Sequence, residues 1–305
     1  VPRIAYFGPS GTFTEMALAA LESAGAFVGP VERVVAGSQP AALEMVRAGA
    51  VDGAVVPIES SVAGSIPATL DSLASGPRLQ IVAETELDVT FTIVARPGTT
   101  MADVRSLAAY PVAADQVRGW IADKLPAAQM VISASNAAAA EDVAAGHADA
   151  GVSTTLAGER LGLIALANGV ADHADAITRF VLCTRPVPAP TRTGADRTSV
   201  VLELPNVPGS LARAFEEFAT RGIDLTRIES RPTRTGMGAY RFYLDCVGHI
   251  DDTAVAEALK ALHRFGAEVR FLGSWPAHTP SGSPPPSDDE AQEWMSALRK
   301  GTAEA

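Results

Sequence analysis

Cysteine is nearly absent: the 305-residue chain has two, Cys183 and Cys246, in separate strand-like runs. They offer neither CxxC spacing nor a disulfide framework, which excludes a small bridge-stapled scaffold and predicts two structural thiols. Histidine is equally sparse. His147, His173, His249, His263 and His278 are scattered, with no HExxH or close-spaced cluster, so no metal site is expected. Positive charge is outnumbered, 24 Lys and Arg against 35 Asp and Glu, for a net charge of −11. That field excludes broad, backbone-driven nucleic-acid binding, which needs a basic surface. It still permits a small anion held by a few arginines or helix N-termini. No apolar run reaches membrane-spanning length before charge or a turn former interrupts it. The opening Arg3-Ile4-Ala5-Tyr6-Phe7 lacks the basic-then-apolar pattern of an export signal. The expectation is a cytoplasmic protein with no membrane or nucleic-acid partner.

What is present is apolar residue in quantity, 47%, much of it alanine, over a length sufficient for two cores. The first 75 or so residues alternate short apolar runs with helical patterns. Arg3–Phe7 reads as a strand, Phe13, Met16, Ala17, Ala20 and Leu21 as one helix face, Val31–Val35 as a strand, and Gly53–Ile58 as a third. Ser38 is placed to cap the helix carrying Ala42, Leu43 and Val46. This is βαβ logic, with helices on both sides of a mainly parallel sheet. A β-rich passage, Ile81–Arg96, opens a second α/β stretch, with helices near Asp115–Lys124 and Ala137–Ala145 and strands near Met130–Ile132 and Ala150–Val152. A further strand is expected over Ile177–Cys183; periodicity alone does not fix where it pairs, and a return to the first lobe would leave a cleft at the junction.

Pro186-Val187-Pro188-Ala189-Pro190 marks a boundary, because prolines lack ladder donors and favour extended chain. Beyond it the pattern runs strand Thr198–Leu204, helix Ser210–Arg221, strands near Leu225–Ser230 and Tyr240–Val247, helix Thr253–Phe265 and strand Glu268–Trp275. That β-α-β-β-α-β order predicts a ferredoxin-like sandwich. From His278 a Pro/Ser/Gly stretch precedes Asp288-Asp289-Glu290, an expected flexible acidic tail ending in a short helix with Trp294, Met295 and Leu298.

Four segments carry chemistry. Gly8-Pro9-Ser10-Gly11-Thr12 joins a strand to a helix, so its short side chains and the first helical N–H groups suit an anion or an ordinary turn equally. It is neither GxGxxG nor a phosphate loop, which argues against nicotinamide or ATP. Pro57-Ile58-Glu59-Ser60-Ser61 lies at a carboxyl strand edge, where ligands bind in open α/β sheets. Neither serine sits in a nucleophile-elbow sequence, so hydrolase chemistry has little support. Ser135-Asn136 precedes an alanine-rich helix that either residue could cap. Thr178-Arg179-Phe180 combines a hydroxyl able to donate to a departing oxygen with a guanidinium able to clamp a carboxylate. Adjacent strand residues point to opposite faces, so the two need not reach one ligand.

Taken in order, Tyr6–Glu15, Val56–Ser65, Ser135–Ala138 and Thr178–Phe180, followed by Asn206–Leu211 and Glu229–Pro232, resemble the prephenate dehydratase family with an appended ACT domain, over nearly the whole chain through Trp275. The resemblance implies a two-lobed, periplasmic-binding-protein-like α/β catalytic region over 1–185, with lobes of about 1–76 plus 177–185 and 77–176. A linker over 186–197, a ferredoxin-like ACT domain over 198–276 and the tail over 277–305 complete the expected division. It implies conversion of prephenate to phenylpyruvate, carbon dioxide and water without cofactor or metal, and inhibition by phenylalanine in a homodimer or homotetramer. By position, Thr178 looks like the catalytic hydroxyl. Thr12, Glu59, Ser60, Ser61, Ser135 and Arg179 resemble substrate-pocket residues, with Arg179 binding a carboxylate or ordering the pocket, and Phe180 shapes its wall. Ser60 departs from the family's asparagine, exchanging an amide's paired pattern for one short hydroxyl. Pro208, Gly209, Ser210 and Leu211, with Glu229, Ser230, Arg231 and Pro232, resemble the phenylalanine-responsive segments. Arogenate dehydratase, or a noncatalytic amino-acid or carboxylate sensor, are the alternatives.

Overall fold

The structure, a computed structural model, describes residues 1–173, 175–233 and 239–302. The last residues of the expected tail, 303–305, lie outside that range. The chain divides into two compact units, Val1–Pro77 with Glu84–Arg185, and Arg78–Ala83 with Pro186–Ala305.

In chain order the elements of the first unit begin with β1 (Arg3–Phe7), α1 (Phe13–Ser23), β2 (Glu32–Ala36), α2 (Gln39–Arg47), β3 (Gly53–Ser60), β4 (Gly64–Ser65), α3 (Pro67–Leu73) and β5 (Gln80–Asp88). Next come β6 (Thr92–Ala95), β7 (Ser106–Ala109), α4 (Pro111–Gln116), α5 (Arg118–Lys124), β8 (Gln129–Ile132), α6 (Asn136–Ala144), β9 (Ala150–Ser153), α7 (Thr155–Arg160), β10 (Ile164–Asn168) and β11 (Ile177–Thr184). Among the described residues these strands form two sheets, β2-β1-β3-β11-β5 with β4 beside β3, and β10-β6-β9-β7-β8. β1 runs parallel to β2 and β3, whereas β11 returns antiparallel to β3. The return matters for chemistry, because its register puts Thr178 opposite Ser60. This is a periplasmic-binding-protein-like arrangement: two α/β lobes, with the chain crossing between them near Val89 and again near Ala176, where the Val89 N–H donates to the Ala176 carbonyl at 2.7 Å.

The helices follow from caps and apolar stripes. Thr12, Ser38, Ser135 and Thr154 each accept a backbone N–H of the first turn, satisfying a donor that would otherwise be orphaned. Ala17, Leu18 and Leu21 of α1 and Ala42, Leu43 and Val46 of α2 are buried. The single helix expected over Asp115–Lys124 is instead two, broken at Val117. The Asp172 carboxylate explains the restart, accepting the Gly119 and Trp120 N–H groups at 2.8 and 3.0 Å.

The second unit runs β12 (Asp196–Glu203), α8 (Ser210–Ala219), β13 (Leu225–Pro232), β14 (Tyr240–Val247), α9 (Thr253–Arg264), β15 (Glu268–Pro276) and α10 (Asp289–Lys300). Its antiparallel sheet, in the order β13-β14-β12-β15, buries Val200, Leu202, Leu244 and Cys246 against Ala214 and Phe218 of α8 and Val255, Ala258 and Leu262 of α9. This is the ferredoxin-like sandwich. On the far face, Arg227 and Asp245 pair through two hydrogen bonds of 2.9 and 2.7 Å. The tail segment packs along this unit: the Ser283 N–H donates to Asp224 and Gln292 donates to Thr253. Both cysteines are free and buried, and burial pushes each thiol up to about 12.

Candidate active site

The first unit contains a cavity of about 510 Å³ lined from both of its lobes. Its walls are largely apolar, with Phe7, Phe13, Phe91 and Phe180 prominent, and Phe13 meets Phe91 edge-on at 5.8 Å. Among the described residues no Asp, Glu, Lys, Arg or His side chain lines it. Positive potential comes from the backbone instead. The first residues of α1, α2 and α6 (Thr12 to Thr14, Gln39, and Ser135 with Asn136) all face the cavity, and helix N-termini attract anions through unpaired N–H groups and the helix dipole.

The hydroxyls of the cavity differ in what they have left to offer. Thr12 Oγ donates to the Phe7 carbonyl at 2.9 Å and accepts the Glu15 N–H, so its proton is committed to holding the turn. Ser60 Oγ accepts the Val62 and Ala63 N–H groups at 3.3 Å, and Ser135 Oγ accepts the Ala138 N–H at 3.0 Å. Both serines keep a proton to donate. Thr178 is 9% exposed and lines the cavity, and among the described residues its hydroxyl has no partner within the protein. It is the uncommitted one.

A register shift between Arg179 and Phe180 leaves Thr178 and Phe180 both on the cavity wall. Arg179 is absent from that wall. Its guanidinium is buried between Glu59, at 2.8 Å, and Glu84, at 3.2 Å. Of the two readings of Arg179, the geometry fits pocket ordering rather than carboxylate binding. Glu59 does not line the cavity either, because its carboxylate is directed at Arg179. Ser61 is exposed and also off the wall: its hydroxyl accepts the Ile177 N–H at 2.9 Å while its own N–H donates to the Ile177 carbonyl at 2.8 Å. Thus Thr12, Ser60, Ser135, Thr178 and Phe180 come together, whereas Glu59, Ser61 and Arg179 form the frame that holds β11 in place. Gln39, Tyr110 and Gln116 line the cavity without having been singled out by the sequence, which shows them as unremarkable residues at helix starts or on a helix, and Asn136 joins them from the segment headed by Ser135.

A second cluster binds the glycine turn. Glu15 is buried and accepts the Gly11 N–H at 2.6 Å, the Ser10 hydroxyl at 3.1 Å, and Arg160 at 2.5 Å from the other lobe. Burial pushes this carboxyl up, but Arg160, the Gly11 N–H and Ser10 together outweigh it and hold the group below its ordinary 4.5. Thr154 donates to the Gly11 carbonyl at 2.7 Å. Gly11 has φ +93°, and a Cβ there would stand 2.9 Å from the Ala157 methyl. Only glycine allows that approach.

In the second unit, Gly209 adopts φ 85° and ψ −8° at the start of α8, followed by Ser210, whose buried Oγ has no hydrogen-bond partner. Pro208 precedes this turn and Leu211 continues it into the helix. Glu229 to Pro232 lie on the edge strand β13, opposite Tyr243 to Tyr240 of β14, with Arg231 3.7 Å from Glu229. Among the described residues no group of His, Cys, Asp and Glu is arranged to hold a metal, and no helix is long and apolar enough to cross a membrane.

The family model for prephenate dehydratase matches residues 4–187. The chain belongs to the prephenate dehydratase family. The ACT-domain model matches residues 198–264. A curated prephenate dehydratase from Mycobacterium sp. (strain JLS) is 60% identical over 307 aligned positions, covering 99% of this chain and 97% of the relative. Among solved structures, a prephenate dehydratase from Arthrobacter aurescens in complex with L-Phe is 39% identical, with a TM-score of 0.87 over 98% of this chain and 100% of that one. A second, GqqA, described as a novel type of quorum quenching acylase, is 29% identical with a TM-score of 0.78, covering 90% and 98%. The chain is therefore an enzyme of the prephenate dehydratase family carrying an ACT domain.

Proposed function

We propose that the cavity converts prephenate to phenylpyruvate, carbon dioxide and water, with Thr178 as the catalytic hydroxyl. The observation that carries this reading is the uncommitted Thr178 hydroxyl on a cavity wall otherwise built from aromatic rings, hydroxyls and helix N-termini. Cleavage of the ring-carboxylate C–C bond sends its electron pair into the ring. The ring aromatises and expels the C4 oxygen as hydroxide, which takes a proton from solvent to become water. Thr178 donates a hydrogen bond to that oxygen as its charge develops, which is where a fixed donor lowers the barrier. Ser60 and Ser135 retain protons for substrate oxygens, and the N-termini of α1 and α6 counter the dianion. The phenyl rings of Phe13, Phe91 and Phe180 exclude water and fit the aromatic product. Arg179 and Ser61 act on β11 rather than on substrate.

The same chemistry favours the keto substrate over arogenate. An α-ammonium group would enter a cavity ringed by helix N-termini with, among the described residues, no carboxylate on its wall, an unfavourable exchange for its hydration. The ACT match, together with the Arthrobacter relative in complex with L-Phe, supports feedback by phenylalanine through Pro208–Leu211 and Glu229–Pro232, in a homodimer or homotetramer. Two unbridged buried thiols suit a reducing compartment such as the cytoplasm. The test is product formation by the purified chain from prephenate and, separately, from arogenate, with and without phenylalanine. Phenylpyruvate from prephenate, suppressed by phenylalanine, is expected. Preferential turnover of arogenate, or ligand binding with no carbon dioxide released, would overturn the reading.

A further inference from the structure

The last helix of the second unit, α10, folds without burying any of its residues. Its ends are well made: Asp289 and Glu290 stand in the first turn, Arg299 and Lys300 in the last, and Gly301 closes the helix at φ 67°. A helix of 12 residues is nevertheless too short to persist in water on caps and propensity alone. The strap that leads into it is fixed to the unit. The Ser283 N–H donates to Asp224 at 3.1 Å, and Gln292 of the helix donates to Thr253 at 2.9 Å. Pro285 and Pro286 lie against Gly248 and Gly222, where a Cβ would stand 2.9 and 3.1 Å from their rings. The unit therefore presents α10 by its Gln292 side and leaves Trp294, Met295 and Leu298 exposed at 56%, 39% and 41%.

Ala291, Trp294, Met295 and Leu298 keep the i, i+3, i+4, i+7 spacing of a helix face made for burial. Asp288, Ala291, Met295 and Arg299 line one open groove along the helix, to which no other element contributes among the described residues. Acid thus stands at one end of that face and base at the other, with the apolar residues centred on Trp294 and Met295 at the middle of the helix. Such a face is complementary to itself turned end for end. Apolar centre meets apolar centre, and Asp288 meets Arg299 of the partner subunit at both ends. Parallel pairing would set acid against acid. An anionic membrane surface is disfavoured, because Asp288, Asp289, Glu290 and Glu293 outnumber Arg299 and Lys300. We infer that α10 is a self-association surface on which a second copy of this chain docks its own α10 antiparallel, an inference that rests on the homo-oligomer proposed above and adds where its copies meet. A helix of roughly 18 Å buries less than the about 1,200 Å² of a stable interface, so the pair reinforces an assembly rather than holding one alone.

Cysteine cross-linking of the full chain tests the pairing, because Cys183 and Cys246 are buried and leave the surface without a competing thiol. Met295→Cys, close to the twofold axis, should link to its own counterpart through a short bis-maleimide and give a covalent dimer. Asp288→Cys should not link to itself, since its two copies stand almost the length of the helix apart. It should link to Arg299→Cys when the two variants are co-expressed. Self-linking at Asp288→Cys as efficient as at Met295→Cys would overturn the antiparallel arrangement. Sedimentation supplies the second readout. Trp294→Glu should raise the dissociation constant for self-association about thirtyfold, as for loss of a buried aromatic anchor. Arg299→Asp should weaken association, and Arg299→Asp/Asp288→Arg should restore it; a double variant as weak as the single one would overturn self-pairing. A native chain that sediments as an oligomer while Met295→Cys gives no linked dimer rejects α10 alone, whereas a native chain that stays monomeric rejects the homo-oligomer together with this contact.

Discussion

Removing the Arg179 guanidinium should unfold the catalytic unit before it weakens substrate binding. Arg179 is buried between two carboxylates, and the Glu84 side chain is fully buried, whereas that of Glu59 is 36% exposed. The exposed partner contributes little, because solvent screens it. The Glu84 contact is the consequential one. Arg179→Ala deprives a buried carboxylate of its cation, and breaking a buried pair from one side costs about 3–5 kcal/mol. A unit of this size loses roughly 2–4 °C of melting temperature per kcal/mol, so a fall of about 6–20 °C is expected. The assay is thermal unfolding of Arg179→Ala and of the double variant Arg179→Ala/Glu84→Gln, in parallel with KM measured well below both transitions. Neutralising Glu84 in the absence of Arg179 should recover part of the loss, since the two residues are coupled. In the folded variant, KM should rise by less than about tenfold. An unchanged melting temperature together with a KM raised about a hundredfold would refute the reasoning, and would return Arg179 to the substrate's carboxylate.

Ser61→Ala removes the hydroxyl that holds the Ile177 N–H, next to Thr178. A stability loss of about 1 kcal/mol is expected, with kcat reduced more than KM; denaturant titration and steady-state rates check both, and an unchanged kcat would count against the positioning role. Glu15→Gln tests the turn cluster. Because the folded carboxyl is held below 4.5, its contribution is fully present above the unfolded value and disappears as pH falls through the folded one. The melting temperature of the native enzyme should therefore exceed that of Glu15→Gln at neutral pH, and the gap should close as pH falls below about 4.5. A gap that persists unchanged down to about pH 3 would show that the ionised carboxylate is not the stabilising form.

The parts of this fold written in local pattern were legible in the sequence. Residues Arg3–Phe7, the apolar face of α1 and the β-α-β-β-α-β order of the second unit emerge from periods of two and 3.6 with turn signals between them. The strand alternation also warned that Thr178 and Arg179 point apart, which is how β11 places them. What stayed hidden depends on residues distant in sequence. Nothing near Ser61 reveals that it anchors Ile177, and nothing near Glu15 reveals Arg160 as its partner from the other lobe. The break at Val117 depends on Asp172, which supplies helix-capping oxygens from a separate segment. Gln39 carries no local mark because the neighbouring serine, Ser38, does the capping. Short strands with weak periodicity, such as β10, were likewise invisible, since β10 exists by pairing with β6.

The central claim is that the Thr178 hydroxyl stabilises the departing oxygen, and the most direct measurement is single-turnover kinetics of Thr178→Ala beside Thr178→Ser. The account predicts a rate constant about 10²–10³-fold lower for alanine, as for loss of one transition-state hydrogen-bond donor. Substrate affinity and thermal unfolding should stay close to native, and serine should restore part of the rate. An alanine variant that turns over at nearly the native rate would contradict it.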